Sequence, residues 1–258
     1  MQKLALADKV QNERLVMCPY YNQDGMIIYN EDCRKAMLAL RQEVDYTITS
    51  PPYNIGANNM RPPKYGKKVI DIKTDNEYYD LLDEALGIMI DITKYHVFFN
   101  VQMLSANRTV IIELMYKYRD KYKDRIIWNK TNAAPAIEPG VMNSSFEDIH
   151  IFTKLDPEKR KFDNCSFERG TLKNVLSGTI AVNREYSKKH RATFPEYLPG
   201  WIIKNFTQKG DTILDPFAGT GTTLFVARKL GRKAVGIELR QDYCDLALHR
   251  LSQTEMFS

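Results

Sequence analysis

Two short stretches of the chain bring together residues that could transfer a small group onto a planar ring. The first is TITSPPYNIG, residues 47–56, where an apolar run ends in Thr49, Ser50, Pro51, Pro52 and Tyr53. Consecutive prolines fix φ, so Ser50 and Tyr53 gain a rigid relative placement, and proline carbonyls remain available as acceptors. Such a claw suits an exocyclic amino group. Ser50 Oγ and the Pro51 or Pro52 carbonyl would accept its two N–H bonds while Tyr53 stacks on the ring. Those bonds would draw the nitrogen lone pair out of conjugation and aim it at an electrophilic methyl, for direct transfer driven by positioning. A proline corner at a strand end is also an ordinary structural turn, so the second stretch decides between the two readings.

That stretch is TILDPFAGTGTTLFVARKLGRKAVGIEL, residues 212–239. A strand ends at Asp215, Gly219 and Gly221 permit a sharp turn and close approach of a ligand, and a helix starts at about Thr222. The next strand ends in Glu238, the position from which a doubly wound sheet bonds the hydroxyls of a ribose. The stretch contains no G-K-[ST], which excludes a P-loop, and Leu224 stands where a dinucleotide fingerprint wants Gly or Ala. Asp215 would repel a pyrophosphate and suit an ammonium group. S-adenosylmethionine has an ammonium, a ribose and no phosphate. The plain alternative is a Gly-rich turn that only links strand to helix.

The elements that must position these loops alternate along the chain. MIIY, DYTIT, HVFFN, RIIWNK, IHIFTK, TILD and KAVGIEL are short, β-branched or aromatic runs that read as seven strands. DCRKAMLAL, EYYDLLDEALGIMIDIT, ANRTVIIELMYKYRDKY, FPEYLPGWIIKNF and TLFVARKLG have apolar residues three and four apart, as amphipathic helices do. This predicts an α/β fold: a doubly wound, mostly parallel, Rossmann-like sheet with helices on both faces. RIIWNK and IHIFTK have no helix between them and are expected as an antiparallel pair at one edge. In a parallel sheet ligands sit beyond the carboxyl ends of the strands, so both loops should open onto one crevice. Residues 54–73 read as a long basic loop, and residues 157–189 as a polar insertion outside the sheet.

With 258 residues, 43% of them hydrophobic, the chain is expected to form a single domain over 1–258. Lysine and arginine number 37 against 32 acidic residues, a net +5 that is compatible with a polyanionic partner. Cys18, Cys33, Cys165 and Cys244 are scattered and form no C-x-x-C pair, so neither a disulfide framework nor a metal site is expected. The beginning of the chain shows no export signal and no stretch approaches a membrane span, which predicts a cytoplasmic protein with no membrane partner.

The order of TSPPYNIG, then HRATFPEYL (residues 190–198), then ILDPFAGTGTT resembles the β-type DNA amino-methyltransferases, which methylate N4 of cytosine or N6 of adenine. In them the catalytic loop precedes the cofactor loop, a circular permutation. The likeness runs from about Met26 to Leu251 and implies a methyltransferase sheet that uses S-adenosylmethionine on a flipped base in double-stranded DNA. It implies Ser50, Pro51, Pro52 and Tyr53 as the catalytic residues. Asp32, Thr49, Phe194, Pro195, Asp215, Phe217, Gly219, Gly221, Thr222 and Glu238 are implied at the cofactor. Glu31 and Arg191 depart from the common pattern.

The likeness also places target recognition in residues 155–189, short for the family. Lys64, Lys67 and Lys68 of the 54–73 loop become candidate DNA contacts, with Trp128 as a wall of the base pocket or a plain core residue. A homodimer and a cognate restriction endonuclease are expected partners, unless the gene stands alone in its bacterial or phage host. Cytosine C5 methylation would need a cysteine beside the catalytic prolines, which is absent. RNA bases or protein glutamine as substrate, and an inactive DNA-binding subunit, fit loop order and intact loops less well. Thr-Ser before Pro-Pro tilts the expectation toward cytosine N4, with adenine N6 the alternative.

Overall fold

The computed structural model describes residues 17–40, 43–54, 74–133, 135, 139–180 and 195–253. Its nine strands are β1 (Tyr21–Gln23), β2 (Met26–Asn30), β3 (Val44–Thr49), β4 (Thr93–Val101), β5 (Tyr122–Lys130), β6 (Phe146–Phe152), β7 (Val175–Gly178), β8 (Thr212–Asp215) and β9 (Lys233–Glu238). They form one sheet in the order β1-β2-β9-β8-β3-β4-β6-β5-β7. From β2 through β9, β8 and β3 to β4 every pairing is parallel. β6 runs antiparallel to both β4 and β5. Two reversals thus restore β5 to the direction of β4, and the carboxyl end of β5 joins those of β3, β4, β8 and β9 along one edge. The amino end of β6 lies there too.

Among the described residues six α-helices cover the sheet, three on each face. Apolar residues of α1 (Cys33–Leu40), α2 (Asp75–Ile92) and α3 (Arg108–Lys117) pack on one side. Those of α4 (Tyr197–Phe206), α5 (Thr222–Lys229) and α6 (Gln241–Ser252) pack on the other. The strands serve both layers by alternation: in β4, Phe98 enters the second layer and Val97 and Phe99 the first. Helix α2 starts at a capping box in which Thr74 accepts from the Glu77 amide and the Glu77 carboxylate accepts from the Thr74 amide.

The expected α/β class and the antiparallel β5–β6 pair are present, with three differences. Asp24 and Gly25, at φ 50° and 76°, close a two-residue hairpin that adds β1, a pairing the D-G dipeptide signals. Part of the supposed insertion belongs to the sheet: β7 pairs parallel with β5 and occupies the edge, so β5 and β6 do not end the sheet. Phe162, Phe167, Leu172 and Leu176 pack on the α4 face, because apolar side chains scattered without period still bury when the chain runs beside an open edge. Helix α6 was not anticipated, although Cys244, Ala247 and Leu251 carry a helical spacing. Among the described residues no helix is long and apolar enough to cross a membrane, and no cluster of His, Cys, Asp and Glu could hold a metal ion.

Candidate active site

β3 and β8 are neighbours whose chains continue in opposite directions, β3 to β4 on one side and β8 to β9 on the other. This is the switch point at which a doubly wound sheet opens a crevice. The two loops singled out in the sequence flank it, and they touch. Thr49 Oγ1 donates to Asp215 Oδ1 at 2.8 Å, with both residues buried. The Phe217 amide also donates to Asp215 Oδ1 at 3.2 Å. Burial pushes the Asp215 carboxyl up to about 6, and these hydrogen bonds only partly oppose it.

In the second loop Gly219 and Gly221 have φ 51° and 73°, a region that favours glycine. A Cβ on Gly219 would meet nothing within 4 Å, whereas one on Gly221 would lie 2.7 Å from the Ala247 Cβ in α6. Gly219 is open for a ligand to approach, and Gly221 lets two helices meet. Glu238 is gripped by the backbone: Gly219 N–H donates to Oε2 at 2.9 Å and Arg240 N–H to Oε1 at 2.8 Å. Burial raises its carboxyl above the usual range while the two amides pull the other way. Thr222, at the start of α5, receives a hydrogen bond on Oγ1 from the buried Arg250 guanidinium, which ties the loop to α6. Phe217 packs partly buried on the α1–α3 face.

The proline loop is held from three directions. The Tyr78 hydroxyl on α2 donates to the Pro52 carbonyl at 2.7 Å, and that oxygen keeps a second lone pair. Asn107 Nδ2, ahead of α3, donates to the Tyr53 carbonyl at 3.1 Å. At the side-chain end, Ser50 Oγ and Tyr53 Oη are 3.2 Å apart, and Tyr53 Oη is 2.8 Å from Glu147 Oε2. Asn100 Nδ2 on β4 reaches Glu147 Oε2 at 2.7 Å, Tyr53 Oη at 3.0 Å and Ser50 Oγ at 3.3 Å. Glu147 Oε1 pairs with Lys130 Nζ at 2.7 Å, both side chains buried. Burial and the Glu147 carboxylate push the Tyr53 phenol well above its ordinary value. The phenol tip is therefore anchored inside the protein.

The other expected residues separate. Asp32 gives both carboxylate oxygens to Arg34, at 3.0 and 2.8 Å, and is held below the usual carboxylate range by that bond; it follows β2 at the edge where the Glu31 amide donates to the Glu238 carbonyl at 3.2 Å. Trp128 is buried and its indole N–H donates to the Tyr197 hydroxyl; it is a core residue on the α4 face. Pro195 is buried just ahead of α4, where its carbonyl accepts from the Leu198 amide at 3.0 Å. Phe194, Lys64, Lys67 and Lys68 lie outside the described residues. Sequence reading missed Asn100, Lys130 and Glu147. The available signal was positional: Asn100 and Lys130 are polar residues near the carboxyl ends of apolar strands, at the same edge as Thr49 and Asp215.

The chain resembles known proteins in sequence and in fold. The sequence profile of the DNA methylase family of N6 and N4 methyltransferases matches residues 44–249. The type II methyltransferase M2.DpnII of Streptococcus pneumoniae is 30% identical over 259 aligned positions, spanning 92% of this chain and 93% of that one. In architecture, PvuII DNA methyltransferase (cytosine-N4-specific) superposes with a TM-score of 0.71 at 17% identity, covering 90% of this chain and 88% of that one. The M1.HpyAVI–SAM complex gives 0.59 at 20% identity, covering 88% and 98%. The chain belongs to the DNA methylase family of N6 and N4 methyltransferases, enzymes that methylate DNA with S-adenosylmethionine as cofactor.

Proposed function

We propose that the crevice between β3 and β8 methylates the exocyclic amino group of a base flipped out of double-stranded DNA, with N4 of cytosine as the target. The observation that carries this reading is the Thr49–Asp215 hydrogen bond, which fastens the base-binding loop to the cofactor loop. S-adenosylmethionine supplies an electrophilic methyl on a sulfonium. The residues present fit it: the backbone at Gly219 is open to approach, the buried Asp215 carboxyl suits an ammonium, and Glu238 presents a carboxylate to ribose hydroxyls. Thr49, Phe217 and Gly221 shape that loop. Phe194 and Pro195 are assigned to the segment that closes over the methionine moiety.

Ser50 Oγ and the Pro51 or Pro52 carbonyl accept the two amino hydrogens and turn the nitrogen lone pair toward the methyl. Held on stiff prolines, they supply acceleration through orientation, with no covalent bond to the enzyme. Thr-Ser before the prolines favours cytosine N4. The family includes adenine N6 enzymes, so the deciding test is mass spectrometry of nucleosides from DNA incubated with the protein and S-adenosylmethionine. N4-methylcytosine is expected; N6-methyladenine overturns the base assignment, and absence of both overturns the reaction.

Recognition of sequence is assigned to residues 155–189 together with the 54–73 loop, whose Lys64, Lys67 and Lys68 contact phosphate. Within the first segment Lys159, Arg160, Lys161, Arg169 and Lys173 are exposed. Because the segment is short and partly spent on β7, a second copy of the chain shares recognition, which sedimentation on DNA checks. The type II name of the relative supports pairing with a restriction endonuclease in a bacterial or phage-infected cytoplasm. Protection of methylated DNA from such an enzyme tests it.

A further inference from the structure

The proline loop can present its serine in two ways: as an acceptor toward a substrate N–H, or as a donor toward a substrate carbonyl. We propose that Glu147, balanced by Lys130, decides between them and is the positioning residue that makes Ser50 an acceptor. This rests on the amino-methylation reading above.

The argument follows the hydrogens. A carboxylate can only accept. Glu147 Oε1 is occupied by the Lys130 ammonium at 2.7 Å, and Oε2 receives Asn100 Nδ2 at 2.7 Å and Tyr53 Oη at 2.8 Å. The Asn100 amide must turn its nitrogen to this carboxylate, since its oxygen would meet a second acceptor. Tyr53 has one hydrogen and its better acceptor is Glu147, so in the 3.2 Å contact between Tyr53 Oη and Ser50 Oγ the tyrosine oxygen accepts and the serine donates.

The Ser50 hydrogen therefore points at Tyr53. Asn100 Nδ2, with one hydrogen on Glu147, shares its second between Tyr53 Oη at 3.0 Å and Ser50 Oγ at 3.3 Å, and the Ser50 oxygen retains a lone pair. That lone pair can take an N–H from a ring amino group but can give nothing to a ring carbonyl. Glu147 thereby selects cytosine or adenine over thymine or uracil through direction, without itself touching the base. Burial strengthens the selection: Glu147 and Lys130 are 7% and 8% exposed, so their charges act on these hydrogen bonds with little screening.

The test uses the full-length protein and keeps the packing while removing the direction. In Glu147→Met combined with Lys130→Met, the bulk is roughly conserved and Tyr53 loses its carboxylate acceptor, so its hydrogen is free to turn to Ser50. kcat for methyl transfer to DNA should fall about a hundredfold, as for loss of a preorganised group. The dissociation constants for S-adenosylmethionine and DNA should stay within threefold. Tyr53→Phe should cost little more in that background, because both changes cut one chain. A double variant with kcat within threefold of wild type overturns the inference, as does a Tyr53→Phe loss that multiplies fully with it. Failure of the wild-type enzyme to methylate any DNA amino group overturns the functional reading itself, an outcome distinct from either of these.

Discussion

The Tyr78 hydroxyl of α2 donates to the Pro52 carbonyl at 2.7 Å, and so a helix that begins four residues earlier at a capping box fixes the second proline of the catalytic loop. The bond crosses from a helix face to a loop 26 residues away in sequence. It explains why the loop is stiff beyond what its prolines impose: one end is bound by helix α2, the other by the buried network around Glu147.

Replacing Tyr78 by Phe leaves the packing intact and strips one hydrogen bond from a part-buried carbonyl. The expected loss is about 1–2 kcal/mol of stability. At roughly 2–4 °C per kcal/mol for a chain of this size, Tm should fall by several degrees in a calorimetric scan. kcat should drop more than cofactor affinity, since the cofactor loop is on other strands.

Glu238→Ala should weaken S-adenosylmethionine binding on the order of a hundredfold, or about 2.8 kcal/mol. The carboxylate, proposed as the ribose ligand, also fastens the Gly219 and Arg240 amides, so its loss should remove a partner from ligand and loop together. Isothermal titration with the cofactor alone measures this, and Kd unchanged within threefold would remove Glu238 from the cofactor site.

Asp215 makes cofactor binding depend on pH. Burial raises its carboxyl from 3.8 to about 6, so between about pH 4 and 6 the folded protein holds a proton that the unfolded chain has released. The cofactor-free protein should therefore lose stability as pH rises through that window and change no further from this group above it. An ammonium prefers the ionised form, so affinity for S-adenosylmethionine should rise with pH through about 6. In Asp215→Asn both trends should vanish, which titrations at a series of pH values will show.

Gly221→Ala should destabilise the fold by about 2–3 kcal/mol. The new Cβ would come within 2.7 Å of the Ala247 Cβ and 3.1 Å of its Cα, and the backbone at φ 73° disfavours a side chain. Chemical denaturation should record that loss. Gly219→Ala meets no such neighbour, so its effect should fall mainly on cofactor affinity, with only the smaller strain of its φ of 51° on stability.

Both chemical loops, their order and the α/β alternation were legible in the sequence because the signals are local. Proline and glycine dictate backbone shape where they stand, acidic residues follow strands at readable spacing, and apolar periods of two and about 3.6 mark strands and helices within a few turns. Tertiary structure decided the rest. Residues 175–178 become an edge strand because β5 offered an open edge, Trp128 falls in the core because α4 packs over it, and Asp32 meets Arg34. Lys130, Glu147 and Asn100 meet Tyr53 because two antiparallel pairings return β5 to the direction of β4. Strand order and direction bring those ends together, and neither leaves a periodic trace in the residues concerned. The chain's own chemistry determined what the loops can bind; the sheet determined which hydrogens they can give.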